Sequence, residues 1–127
     1  MTTATKIEYG ALDLFRKDLK RLLKKFRTLE EDLRVAKRDA IEFYHLRGLN
    51  NGSVFEMPGF CSPEVKVCKV KKFTCKSLRG RGSKSGIRLI YAFHNSSRQA
   101  ELIEIYFKGE KKNEDQERIK NYLHSIK

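Results

Sequence analysis

Residues 65–94 read VKVCKVKKFTCKSLRGRGSKSGIRLIYAFH, and they predict two antiparallel β-strands joined by a basic, glycine-rich hairpin tip. The first part, 65–78, has the composition of a strand, but its apolar residues change parity midway. One extra residue near Lys71 and Lys72, a β-bulge, restores the alternation and turns a row of lysines to one face. The last part, 87–94, is apolar on both parities, as expected of a central strand.

The regions on either side of this segment predict helices and a further strand. Apolar residues recur at three- and four-residue steps over 12–26, which predicts a first helix. A second stretch with this spacing begins at a Thr28–Glu31 capping box. A third covers the C-terminal residues 113–126, where Asn113 is the expected cap. Apolar and polar residues alternate over 101–108, as in a strand with one solvent-exposed face. Residues 6–9 could form a first strand.

These elements predict a single α+β domain over residues 1–127. Its parts are a helical hairpin over about 12–46, a loop over 47–64, a β-meander over about 65–108 and a C-terminal helix over about 113–126. We expect the hairpin to pack on a small antiparallel sheet of three to four strands. The other face of that sheet is then free to meet a ligand.

The positive charge of the chain is concentrated in one window. Residues 65–100 hold ten Lys and Arg and no Asp or Glu, whereas the whole chain has 28 basic and 16 acidic residues. Such a dense run of like charge attracts polyanions, and a phosphodiester backbone is the commonest of these. The alternative is a solvated face that serves solubility alone.

Other features of the composition narrow the class of protein. The chain shows no apolar stretch of signal-peptide or membrane-spanning length, so we expect a cytoplasmic protein with no membrane role. Cys61, Cys68 and Cys75 lie at seven-residue intervals, too far apart along a strand to share a zinc ion or a disulfide. We expect them to be buried or half-buried reduced thiols, and no metal or other cofactor is predicted.

The basic residues of the meander suit two tasks, binding of RNA and its cleavage. Ammonium and guanidinium groups displace counterions from phosphates, and the guanidinium fork of Arg88 matches two phosphate oxygens. Cleavage by attack of the 2′-hydroxyl needs a base, an acid and positive charge beside the phosphorane, and it needs no metal. The predicted RNA-binding residues are Lys72, Lys76, Arg79, Arg81, Lys84, Tyr106 and Lys111.

Four stretches carry a resemblance to a known family: FRKDLK at 15–20, KVKKF at 69–73, SGIRLIY at 85–91 and IEIYFKG at 103–109. The chain resembles the RelE-like toxins of bacterial and archaeal toxin–antitoxin systems. The most specific part of the resemblance is the strand with Gly86, Arg88 and Tyr91, which follows the basic hairpin in the chain. The resemblance extends from the first helix to the last.

This resemblance implies a RelE-like fold and ribosome-dependent cleavage of mRNA without metal, inhibited by an acidic antitoxin protein laid over the basic face. It implies that Arg88 stabilises the phosphate and that Lys69 and Lys71 match a pair of lysines on the preceding strand. Lys108 or Lys111 matches a basic residue just past the last strand. The implied catalytic residues are therefore Lys69, Lys71, Arg88 and Lys108, with the ribosome and mRNA as further partners. The catalytic tyrosine of some members has no clear counterpart here, because Tyr122 lies on an apolar stripe.

Two other functions remain open at this point. One is a non-catalytic RNA-binding module that has the same fold and charge. The other is a ParE-type inhibitor, which acts on DNA gyrase and cuts no RNA.

Overall fold

Strands and helices follow one another along the residues that the structure, a computed structural model, describes: 6–50, 52–78, 80–82 and 84–126. In chain order they are β1 (Glu8–Ala11), α1 (Asp13–Leu23), α2 (Leu29–Ala36), a π-helical segment (Lys37–Glu42), α3 (Phe43–Arg47), β2 (Val54–Cys61), β3 (Val65–Val70), β4 (Ile87–His94), β5 (Gln99–Phe107) and α4 (Gln116–Ser125).

The strands form one five-stranded mixed sheet in the order β1-β5-β4-β3-β2. Strand β1 runs parallel to β5, and every other neighbouring pair is antiparallel. The predicted architecture, a helical hairpin on an antiparallel sheet of three to four strands, is therefore wrong. The parallel pair is possible because the helices and three strands separate β1 from β5 in the chain, which is ample length for a crossover.

Strand β2 lies inside the region 47–64, which the sequence predicted to be a loop. It forms the edge of the sheet beside β3, and its register shifts between Glu56 and Cys61. Pro58 and Gly59 lie in this irregular part, and Gly59 has a φ of 86°. Proline and glycine are tolerated in an edge strand at a bulge, so the residues that indicated a loop mark a bulged strand instead.

Strand β3 ends at Val70, eight residues before the predicted end of this strand at residue 78. The following segment forms an isolated bridge between Phe73 and Lys84, which lies outside the strands of the sheet. Phe73 and Cys75 are buried in the core nonetheless. Burial of these two side chains, and not strand pairing, accounts for their apolar character.

One face of the sheet is covered by α1, α2, the π-helical segment and α3. Helix α1 contacts β5 more extensively than it contacts α2, so these helices do not form the predicted hairpin that packs as a unit. The π-helical segment buries the consecutive residues Ala40 and Ile41, since its wider turn shifts the apolar stripe by one position. The core between these helices and the sheet includes Phe15, Leu22, Leu29, Leu33, Leu89, Tyr91, Leu102 and Ile105.

The opposite face of the sheet is covered in part by α4, so it is not the free face that we expected. A second, smaller core lies there, formed by Met57, Val67, Ile90, Ala92, Ile103, Tyr106 and Ile119. The cap of α4 is Asp115, whose side chain accepts a hydrogen bond from the Arg118 amide at 3.1 Å, and not Asn113 as predicted. Arg118 Nη1 then donates to Asp18 Oδ2 at 2.7 Å and to the Ile103 carbonyl at 2.9 Å, which fixes α4 to α1 and β5.

The three cysteines are free thiols, as predicted, but only two of them are buried. Cys68 and Cys75 lie in the core, whereas Cys61 is exposed at the end of β2. None of the helices in the described ranges is long and apolar enough to span a bilayer.

Candidate nucleic-acid interface

Strands β3, β4 and β5 bring part of the predicted site together on the face that α4 covers. In the register of the sheet Lys69 lies opposite Ile90, and Arg88 lies opposite Tyr106. Directly paired residues point to the same face, and both Ile90 and Tyr106 belong to the core beneath α4. Lys71, two residues after Lys69, lines a groove on this face together with Lys69. We call Lys69, Lys71, Arg88 and Tyr106 the strand cluster.

Backbone carbonyls hold the guanidinium group of Arg88 in place. Its Nη1 donates to the Lys71 carbonyl at 3.1 Å and to the Ile87 carbonyl at 3.3 Å. Among the described residues no carboxylate forms an ion pair with it, and the side chain is only half-buried. A guanidinium carries five N–H donors, so Arg88 keeps donors that an incoming anion can use.

Lys69 is neutralised by a carboxylate from the segment that leads into α4. Its Nζ lies 2.6 Å from Glu114 Oε1, and the two side chains are 17% and 7% exposed. The Tyr106 hydroxyl also donates to Glu114 Oε1, at 3.4 Å. Burial would raise the pKa of the Glu114 carboxyl, but the hydrogen bond and charge of Lys69 outweigh it and the pKa is lowered. No local sequence pattern predicts this pair, because its members are far apart in the chain.

Tyr106 is a buried residue and not the exposed stacking surface that the sequence allowed, since its side chain lies in the second core. Burial, followed by the negative charges of Glu114 and Glu104, raises the pKa of its phenol well above the usual range. Tyr106 therefore stays protonated and acts as a hydrogen-bond donor to Glu114.

Lys111 lies at the rim of the strand cluster, where it pairs with the buried carboxylate of Glu104. The Asp115 amide donates to the other oxygen of Glu104 at 2.7 Å. The Lys111 ammonium also lies 5.7 Å from the centre of the Tyr106 ring. Its charge is thus engaged in holding the segment before α4 on the sheet.

Lys108 is exposed just past the end of β5. Its amide donates to the Gly86 carbonyl at 2.9 Å, which places it two residues along the neighbouring strand from Arg88. Its ammonium makes no ion pair with any residue that the structure describes. Lys108 can therefore add positive charge beside Arg88.

The remaining predicted residues do not join the strand cluster. Lys72 lines a cavity of about 250 Å³ against α2, together with Asp32, Asp39 and Ser53. The Lys76 amide donates to Asp32 Oδ2 at 3.1 Å, so this residue lies against the same helix. Both belong to the side of the sheet opposite Arg88.

The predicted basic hairpin tip is described only in part. Arg81 and Lys84 are exposed, and the Lys84 amide donates to the Arg81 carbonyl at 2.9 Å. Arg79, a further predicted RNA-binding residue, lies outside the described residues. Lys84 is bridged to Phe73, which belongs to the core beneath the helices and not to the strand cluster.

Comparison of the chain with known protein families, with curated proteins and with solved structures gives no match in any of the three. The resemblance to RelE-like toxins therefore depends on the residues quoted above and stays a prediction. What the arrangement offers chemically is a half-buried guanidinium beside two exposed lysines, on a sheet face that α4 covers in part.

Proposed function

We propose that this protein is an RNA-directed toxin that cleaves mRNA on the ribosome by metal-independent attack of the 2′-hydroxyl. The observation that supports this most is the Arg88 guanidinium, which has no carboxylate partner in the described chain and contacts the backbone of Lys71. An unpaired guanidinium held by carbonyls is suited to bind a phosphate through two parallel hydrogen bonds.

In this reaction the 2′-oxygen bonds to phosphorus, and the bond from phosphorus to the 5′-oxygen breaks. Arg88 stabilises the negative charge that develops on the non-bridging oxygens. Lys71 and Lys108 lie just past the ends of β3 and β5, on either side of β4, and are the candidates for proton transfer. One of them, as the neutral amine, takes the proton of the 2′-hydroxyl, and the other, as the ammonium, protonates the leaving 5′-oxygen. Glu114 neutralises Lys69 in the structure, so Lys69 adds to this positive charge only when that ion pair opens.

The same charge pattern accounts for the partners that we propose. An acidic antitoxin protein would cover the basic strands and inhibit the toxin, since the surface supplies the complementary charge. The ribosome and mRNA place the site of action in the cytoplasm.

One observation favours a second candidate, a non-catalytic RNA-binding module. The Lys69–Glu114 pair and the buried phenol of Tyr106 leave the centre of the strand cluster with less positive charge than its sequence suggests. Binding of a phosphate needs only the cations at the rim, whereas cleavage also needs a base and an acid beside it.

The test is an assay of mRNA on translating ribosomes with the purified full chain. We expect new 2′,3′-cyclic phosphate ends, and a loss of about 100- to 1,000-fold in the cleavage rate for Arg88→Ala. Arg47→Ala is the matched control. Arg47 is an exposed arginine at the end of α3, one of the helices that cover the face of the sheet opposite α4. It should cleave like the wild type.

Other outcomes separate the alternatives. Intact mRNA with salt-sensitive binding of RNA supports the non-catalytic module and contradicts the enzyme. Intact mRNA together with blocked DNA gyrase supports the ParE-type inhibitor. Cleavage that is unchanged in Arg88→Ala would show that the strand cluster is not the catalytic site.

A further inference from the structure

Phe55 is an exposed aromatic residue on the edge strand β2. Its relative exposure is 44%, and the other large apolar side chains exposed to this degree in the described chain, Leu14, Leu49 and Ile126, are aliphatic. In the sheet Phe55 lies opposite Lys69, so it points to the same face as the strand cluster. An aromatic ring left in solvent beside cations is a common surface for stacking of nucleobases.

A groove runs from this ring toward the strand cluster. It has a volume of about 540 Å³, within the range of small-ligand sites. Its walls are formed by Phe55, Met57, Pro58, Phe60, Lys69 and Lys71, together with Glu56, Glu114 and Gln116. Aromatic and apolar side chains thus lie beside two lysines, of which Lys69 is paired with Glu114 and Lys71 has no carboxylate partner in the described chain. This combination matches a nucleotide, which has a flat apolar base and an anionic phosphate.

Lys71 connects the ring to the phosphate-binding arginine. Its Nζ lies 4.6 Å from the centre of the Phe55 ring, and its carbonyl accepts the hydrogen bond from Arg88 Nη1. Phe55 on β2 and Arg88 on β4 are two strand spacings and two residues apart, about 12 Å between their backbones, which is the scale of a single nucleotide. The flexible lysine can leave the ring for a phosphate oxygen without movement of the backbone.

We propose that the Phe55 groove binds one nucleobase of single-stranded RNA, by stacking on the Phe55 ring, while Lys71 and Arg88 hold the adjacent phosphate. This inference rests on the proposed RNA-directed function and adds a base-binding subsite to it. The subsite belongs to β2, a strand that the sequence did not predict.

The experiment measures binding of the full chain to a short fluorescein-labelled single-stranded RNA and to the same strand with abasic positions, by fluorescence anisotropy. We expect Phe55→Ala to weaken binding of the intact RNA by about 5- to 100-fold and to leave binding of the abasic strand unchanged. Leu49→Ala is the matched control, since Leu49 has a similar exposure of 45% and lies in a loop away from the groove.

A second variant tests the stacking directly. The chain contains no tryptophan, so Phe55→Trp places a single indole at the proposed subsite. We expect it to keep the affinity for the intact RNA and to lose fluorescence when that RNA, but not the abasic strand, is added.

The outcomes distinguish this inference from the proposed function. If the wild-type chain binds the intact and abasic strands equally well, or if Phe55→Ala binds RNA like Leu49→Ala, the base subsite is overturned while RNA binding stands. If the wild-type chain binds neither strand, the proposed function fails and the subsite fails with it.

Discussion

Lys69 on β3 and Glu114 before α4 form a largely buried ion pair, with 2.6 Å between Nζ and Oε1. The pair places a carboxylate at the centre of the most basic region of the chain. Both side chains are poorly accessible, so solvent screens their attraction little. The segment before α4 thereby reduces the positive charge that the proposed RNA site presents, and it does so from within the same molecule.

Removal of this carboxylate should strengthen RNA binding and weaken the fold. We expect Glu114→Gln to raise the affinity for single-stranded RNA, and to steepen its dependence on the logarithm of salt concentration by about 0.7, because one more cation becomes available to a phosphate. The free energy of unfolding should fall by about 2 kcal/mol, since Lys69 then lacks its charged partner. Anisotropy titrations at several KCl concentrations and urea unfolding measure the two effects.

Glu117→Gln is the control for this variant. Glu117 is exposed in the first turn of α4, so its replacement removes the same formal charge outside the pair. We expect little change in affinity, salt dependence or stability. Equal behaviour of the two variants would contradict a special role for the Lys69–Glu114 pair.

Attachment of α4 to the rest of the molecule should depend on Asp18. This residue of α1 accepts a hydrogen bond from Arg118 at 2.7 Å, and the two side chains are 18% and 12% exposed. We expect Asp18→Ala to lower the free energy of unfolding by about 3 kcal/mol, because it leaves a poorly solvated guanidinium with only the more distant carboxylate of Asp115, 3.9 Å from Nε. Urea or thermal unfolding followed by circular dichroism measures the loss.

Asp13→Ala provides the comparison on the same helix. Asp13 pairs with Arg16, but its side chain is 93% exposed, so the loss should be about 0.5 kcal/mol or less. If Asp18→Ala were as stable as Asp13→Ala, the buried bridge would not be what fixes α4 on the sheet.

His45 should make the fold sensitive to mild acid. Its ring stacks on Phe93 with 3.9 Å between ring centres, and its Nε2 lies 2.7 Å from the Tyr91 hydroxyl. Burial lowers the pKa of His45 to about 4, although the charge of Glu56 opposes this. The folded protein therefore binds the proton less readily than the unfolded chain, whose histidine titrates near 6.5.

The sign of the effect follows from this difference. Between about pH 6.5 and pH 4 the unfolded state binds more protons, so stability is fully present above this window and falls as the pH is lowered through it. We expect a loss of about 2 kcal/mol from His45, given that the ring is partly exposed. Urea unfolding at a series of pH values should show a smaller loss for His45→Gln than for the wild type. His124→Gln, an exposed histidine of α4, should behave like the wild type.

The helices were predictable because their signal is local. Apolar residues at three- and four-residue steps in 12–26 mark the face that α1 buries, and the stripe from Leu29 to Ala40 is buried as its spacing indicates. Strand β2 was not predictable by this means, since Pro58 and Gly59 interrupt its alternation where the edge strand bulges. The parallel pairing of β1 with β5 joins residues far apart in the chain, and no local pattern encodes it.

The candidate site was predictable only as a list of basic residues. Lys71 and Arg88 do lie together on one face, as strand parity indicates for a pair of neighbouring strands. Lys72 and Lys76 lie on the other side, because β3 ends at Val70 and its alternation does not continue past this residue. The carboxylate of Glu114 reaches Lys69 across forty-five positions of sequence, a contact that depends on how α4 folds back.

Gly59 offers a test of the bulge in β2 that is independent of any function. Its φ of 86° is strained for an L-residue, yet an added Cβ would meet no atom within 4 Å. We expect Gly59→Ala to lower the free energy of unfolding by about 1 kcal/mol through backbone strain alone, and Gly59→Asn by less, because asparagine enters the left-handed region more readily. Phe55 precedes the irregular part and keeps its regular pairing with Lys69, so RNA affinity should be unchanged in both variants. Urea unfolding and RNA anisotropy measure the two quantities, and a Gly59→Ala variant as stable as the wild type would contradict the bulged conformation of this edge strand.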